Sequence, residues 1–123
     1  MSEKNGKIKD FTDLITWQKA HELVLMIYKI TDAFPQKEMY ALTSQMRRAA
    51  VSITSNIAEG FSRHTEKEKI QFYYIALGSL TELQNQIIIS KDVAYINNAH
   101  FDSLLIVIVN VQKLINGLLR SIK

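Results

Sequence analysis

Apolar residues recur three and four positions apart along most of this chain, and almost nothing interrupts them. That spacing puts side chains on one face of a helix, and it constrains the fold more than any single residue. The stretch Gln45 to Gly60, QMRRAAVSITSNIAEG, shows it best, with Leu42, Met46, Ala49, Ile53 and Ile57 on one stripe. Beside them runs a second stripe, Arg48, Ser52, Ser55 and Glu59, and small residues fill the gaps. Small side chains let a neighbouring helix come close, so this helix is expected to be surrounded rather than half exposed. Gly60 is expected to end it in the left-handed conformation.

Three more helices follow from the same reading. The first runs from about Leu14 or Thr16 to Ala33, with Trp17, Ala20, Val24, Ile27 and Thr31 on one stripe. Pro35 is the only proline and ends it, because it cannot continue the ladder and biases Phe34 away from helical geometry. The second spans about Leu42 to Phe61. The third opens at Thr65-Glu66-Lys67-Glu68, a capping box, and runs to about Lys91. Asn97 and Asn98 mark the next break, and either can cap a fourth helix from about Ala99 to near the C-terminus. The expected fold is an all-α, antiparallel up-down four-helix bundle over residues 13–123, preceded by a mobile basic tail over residues 1–12.

Length and composition bound the rest. At 123 residues the chain is one domain, and 47% apolar residues exclude a disordered one. No cysteine is present, which removes disulfides and thiolate metal sites and fits a cytoplasmic protein. The polar N-terminus has no signal-peptide core, and the longest aliphatic run, Leu104 to Val109, is far shorter than the roughly 20 residues that span a bilayer. No membrane partner is therefore expected.

That aliphatic run is nonetheless more than a bundle needs. A helix on the outside of a monomer needs one apolar stripe, and here two faces need cover. Ile87-Ile88-Ile89 in the third helix repeats the excess. Leu105, Ile106, Val109 and Ile88 are the candidate contacts of a homo-oligomer.

Templates for catalysis are empty. There is no phosphate-binding glycine loop, no nucleophile elbow, no zinc motif and no repeated Glu-x-x-His pair of a di-iron bundle. No metal, cofactor or enzymatic activity is expected. Glu59 stands out, since an acid in the last turn opposes the helix dipole. It reads as a structural polar contact, with its partner expected on another helix rather than at Arg63. Arg47, Arg48, Ser52, Asn56, Glu59 and Glu82 form the expected polar network, with Glu82 facing Arg48.

The stretch Gln45 to Gly60 also carries a resemblance. With Asn56-Ile57-Ala58-Glu59-Gly60 as its most specific piece, it resembles the signature of the four-helix-bundle proteins encoded within intervening sequences of bacterial 23S ribosomal RNA genes. Phe11, Leu14, Trp17, Gln18, Lys19 and Ala20 resemble that family's opening. Phe34, Pro35, Glu38, Tyr40 and Leu42 resemble its first connection, and Phe72, Ala76, Gly78, Ser79, Glu82 and Leu83 its third helix. Ala41 stands where the family usually has glycine, and Thr54 where it often has proline. The resemblance implies a ring-like homo-oligomer, often a pentamer. Similar proteins are accessory factors to reverse transcriptases of diversity-generating retroelements, where they bind nucleic acid and the polymerase.

The net charge is only +3. In an antiparallel bundle one end collects the tail, the second connection and the C-terminus, and carries the whole excess. Lys4, Lys7, Lys9, Arg63, Lys67, Lys69, Arg120 and Lys123 are its candidate nucleic-acid ligands, for structured RNA or DNA. The alternative is a protein-interaction scaffold, or an accessory subunit for a reverse transcriptase or other partner.

Overall fold

The computed structural model describes residues 7–122. Four helices follow one another: α1 (Ile15–Thr31), α2 (Leu42–Ser62), α3 (Glu66–Asp92) and α4 (Asn98–Ile122). Short 3-10 turns at Phe11–Asp13 and Gln36–Glu38 precede α1 and α2. Among the described residues there is no strand. The helices run antiparallel in sequence. Along the α2–α3 interface Met46 meets Ser90, Ser52 meets Ser79 and Gly60 lies against Tyr73, so numbers rise on one helix as they fall on the other. α1 and α4 close the bundle, with the Thr16 hydroxyl donating to the Leu114 carbonyl at 3.5 Å.

The core is the sum of the periodic stripes. Ala20, Leu23 and Ile27 of α1 meet Met46, Ala49, Ile53 and Ile57 of α2, Ala76, Leu80, Leu83 and Ile87 of α3, and Leu104, Ile108, Val111 and Ile115 of α4. Each large aliphatic side chain buried this way stabilises the fold by roughly 1.5–3 kcal/mol before chain entropy is charged against it.

The helix ends are set by identifiable groups. The turn before α1 is held by a capping box, in which Asp10 accepts from the Thr12 amide at 2.8 Å while Asp13 accepts from the Asp10 amide. Phe11 packs edge-on against Trp17, so the chain is built into the fold from Asp10 rather than from residue 13. Residues 1–6 of the expected tail lie outside the described residues. α1 ends at Thr31, two residues before the expected Ala33, where the Thr31 hydroxyl bonds back to the Ile27 carbonyl. Ala41 has no side-chain acceptor for the start of α2, and Glu38 supplies one, accepting from the Leu42 amide at 3.3 Å. Thr65 caps α3 through the Glu68 amide at 3.1 Å. Glu68 returns to the Thr65 hydroxyl rather than to its amide. Asn97 caps α4, accepting from the His100 amide at 2.7 Å.

Two expectations for α2 are corrected. Gly60 is not its terminator: the helix continues to Ser62, and Arg63 follows in extended geometry. The glycine is there for proximity, because a Cβ at this position would sit 2.5 Å from the Tyr73 ring. Nor is α2 surrounded, since Gln45, Arg48, Val51, Ser55 and Glu59 are exposed along one side. α4, by length and composition alone, is apolar enough to cross a membrane. Here one of its faces, Leu104, Ile108, Val111, Ile115 and Leu119, is buried against the other helices.

Candidate nucleic-acid interface and assembly face

The antiparallel path brings the start of α1, the Arg63–Thr65 connection and the end of α4 to one end of the bundle. Lys4 and Lys123 lie outside the described residues. Lys7, Lys9, Lys67 and Arg120 are exposed there. Lys69 is not: its ammonium donates to the carbonyls of Phe61 at 2.7 Å and Gly60 at 3.2 Å and lies over the Phe61 ring. It closes the C-terminus of α2, whose last carbonyls have no helical partner, and so is a cap rather than a phosphate ligand. Arg63 is also engaged, stacked on Phe72 at 4.7 Å and paired with Glu59 at 2.7 Å.

That last pair corrects the reading of Glu59. Its partner is four residues along its own chain, just past the helix end, and both side chains are about half exposed. Such a pair contributes little, on the order of 0.3–0.5 kcal/mol. The rest of the expected polar network separates into independent pieces. Arg47 ties α2 to the end of α1, donating to Asp32 at 3.0 Å and to the Thr31 hydroxyl at 2.9 Å while its guanidinium covers Tyr28. Ser52 bonds Ser79 across the α2–α3 interface at 2.8 Å, and Asn56 donates to the Ser52 carbonyl at 2.8 Å. Arg48 and Glu82 are exposed and do not pair with each other. Glu82 accepts from Gln86 instead.

The outer faces carry the apolar excess. On α4, Ile106 is 72% exposed and Val109 41%, and with Leu105 they line a shallow depression bordered by Asp102, Asn110 and Lys113. These positions form one stripe, opposite the buried one. On α3, Ile88 is exposed, as are Tyr74, Ile75 and Ile89, so apolar residues surround that helix. Sequence reasoning missed a further surface at the opposite end from Lys67. Tyr40, 94% exposed, stands beside Tyr28, Met39, Arg47 and Arg48 around a depression of about 420 Å³. Periodicity gives no warning of it, because Met39 and Tyr40 lie in a connection. Among the described residues no three acidic or histidine side chains are placed to hold a metal ion.

Comparison with known proteins supports the architecture. A crystal structure of a protein of unknown function from the S23 ribosomal protein family of Bacteroides thetaiotaomicron VPI-5482 superposes with a TM-score of 0.79. It covers 86% of this chain and 96% of its own, at 19% identity, a level that speaks to the fold alone. No curated protein matches the chain. The family model of the 23S rRNA-intervening sequence protein matches residues 12–117, from the turn that precedes α1 to the last turns of α4. Since that match takes in all four helices, the chain belongs to the 23S rRNA-intervening sequence protein family.

Proposed function

We propose that the protein is a non-enzymatic, self-assembling helical bundle that binds structured RNA or DNA through a basic end surface repeated around the assembly. The observation that carries this reading is the outer stripe of α4. Three aliphatic residues on two successive helical turns, one of them 72% exposed, cost solvation with no return in a monomer. A second copy would cover them. A ring uses two different faces of each protomer, and the exposed Tyr74, Ile75, Ile88 and Ile89 of α3 offer the second. The pentameric ring implied by the family resemblance would carry five sets of Lys7, Lys9, Lys67 and Arg120. Each set alone makes few phosphate contacts, and linking them raises the effective concentration.

Two measurements test this. Light scattering of the wild type at micromolar concentration should give a multiple of the protomer mass, and Ile106→Lys should lower it without loss of helicity. RNA binding should weaken with salt, with a slope of about −0.7 per neutralised phosphate for a single strand. Reversing Lys67 and Arg120 together should weaken it across sequences, because phosphate contacts carry little sequence information. A monomeric wild type, or binding indifferent to both salt and the double reversal, refutes the reading.

Tyr40 favours a second reading, the interaction scaffold. Tyrosine, methionine and arginine clustered on an exposed surface are the residues that dominate protein interfaces. Under that reading Tyr40→Ala abolishes capture of a protein partner, such as a polymerase, and leaves assembly intact.

A further inference from the structure

We infer that a groove between the end of α1 and the α3–α4 connection binds a small apolar carboxylate, such as a medium-chain monocarboxylic acid. The groove is open to solvent along one side and offers about 820 Å³, within the range of small-molecule sites. It opens because α1 and α4, joined at their other ends through Thr16 and Leu114, are lined here by small residues: Ala33, Ala94 and Ser103. Met26, Ile30 and the buried Ile96 supply apolar surface for a hydrocarbon body.

One wall is preformed. Tyr95 is fixed by a 2.7 Å hydrogen bond from its hydroxyl to Glu38 and by the Phe34 ring at 5.1 Å. The connection is anchored by two bonds, from the Tyr95 amide to the Ser90 carbonyl and from the Ala94 amide to the Lys91 carbonyl. That pattern requires a left-handed residue in the position most often given to glycine. Here it is Ala94, with φ of 68°, the one described non-glycine residue at positive φ. A strained backbone held in place beside a cavity is a common feature of ligand sites.

Charge selects the head group. Lys29 and His100 line the groove, and no carboxylate does. Lys29 enters none of the ion pairs among the described residues. The Lys29 ammonium beside apolar surface matches a ligand that ends in one anion. The site is independent of the assembly reading, because His100 and Ser103 lie on a different side of α4 from Leu105, Ile106 and Val109.

Isothermal titration calorimetry of the full chain with sodium octanoate, octylammonium and 1-octanol tests the proposal. Octanoate should bind saturably, one molecule per protomer, and octylammonium should not. Lys29→Met should weaken octanoate by about tenfold, the loss of one charge-assisted contact, and leave octanol unchanged. Ala33→Trp or Ser103→Trp should fill the groove and abolish both, with helicity checked by circular dichroism. Ile106→Lys should leave octanoate binding unchanged, which separates this site from the assembly face. Absence of saturable octanoate heat overturns the proposal. So does equal affinity for octylammonium, an undiminished Lys29→Met, or retained binding in folded forms of both tryptophan variants.

Discussion

Two glycines on facing helices invite the same substitution with opposite results. Gly60→Ala places a methyl carbon 2.5 Å from Cε1 and 2.8 Å from Cδ1 of Tyr73. Carbon atoms rest at about 3.5–4.0 Å, so the ring or the helix must retreat by about 1 Å. Tyr73 is 3% exposed, and its ring is not the loose end of a flexible side chain. Overpacking costs about 1–3 kcal/mol, and a contact this short against a buried ring belongs in the upper half, about 2–3 kcal/mol. The better helix propensity of alanine offsets about 1 kcal/mol of that. A net loss of about 1–2 kcal/mol follows, or a Tm lowered by about 3–10 °C for a domain of this size. Gly78, exposed on α3, has nothing within 4 Å of the position its Cβ would take. Gly78→Ala should therefore stabilise by about 0.5–1 kcal/mol. Thermal melts followed by circular dichroism, at one fixed protein concentration because assembly adds to apparent stability, measure both. In a Tyr73→Leu background Gly60→Ala should lose most of its cost. A Gly60→Ala protein as stable as the wild type would refute the close-approach argument, whatever Gly78→Ala does.

Ala94→Gly should raise the urea midpoint, by about 1 kcal/mol of stability, since it removes the left-handed strain at φ 68° against a smaller entropic loss. Lys69→Met should lower thermal stability by about 1 kcal/mol, because the Gly60 and Phe61 carbonyls lose their charged donor, and Lys67→Met should not. The Tyr95 phenol is held above its ordinary value of 10.0, first by its hydrogen bond to Glu38, then by burial and by the Glu38 charge. A raised folded value means that this contact stabilises the fold fully below the ordinary tyrosine range. The contribution is lost as pH rises through the raised value. Urea midpoints on either side of that range should show the loss, and Tyr95→Phe should show less of it, the remainder coming from Tyr73, whose phenol is raised by burial.

Element types were legible because the local signals agreed. A stripe at helical spacing, one proline and the Thr65 cap each pointed to helices in the same places. What failed was whatever a distant residue decides. Gly60 after an apolar run reads equally as a terminator or as a point of close approach, and Tyr73, thirteen positions away, settles it. Lys69 counts as a free cation until the end of α2 folds under it. Glu59 and Arg63 were four apart all along, but the pairing depends on how the chain leaves the helix. The candidate end was thus located by topology, while the state of each charge on it was not. Ala94 gives no warning at all, because alanine carries no preference for the left-handed region it occupies. The groove beside it is therefore invisible in the sequence.

The α2–α3 interface, with Ser52 and Ser79 hydrogen-bonded inside it, is the most extensive helix contact in the molecule, and the α1–α4 seam is the thinnest of the bundle's four. Only the three residues Arg63–Thr65 separate α2 from α3, so their hairpin closes with little loop entropy. Stability should therefore be layered in time. Amides of Ile53, Ile57, Leu80 and Leu83 should exchange with solvent only when the whole molecule unfolds. Those of α1 and α4 should exchange through a lesser opening, in which the first and last helices part along their common seam. The groove lies on that seam, so an occupant that bridged it would slow exchange in two helices at opposite ends of the chain and leave the central hairpin unaffected.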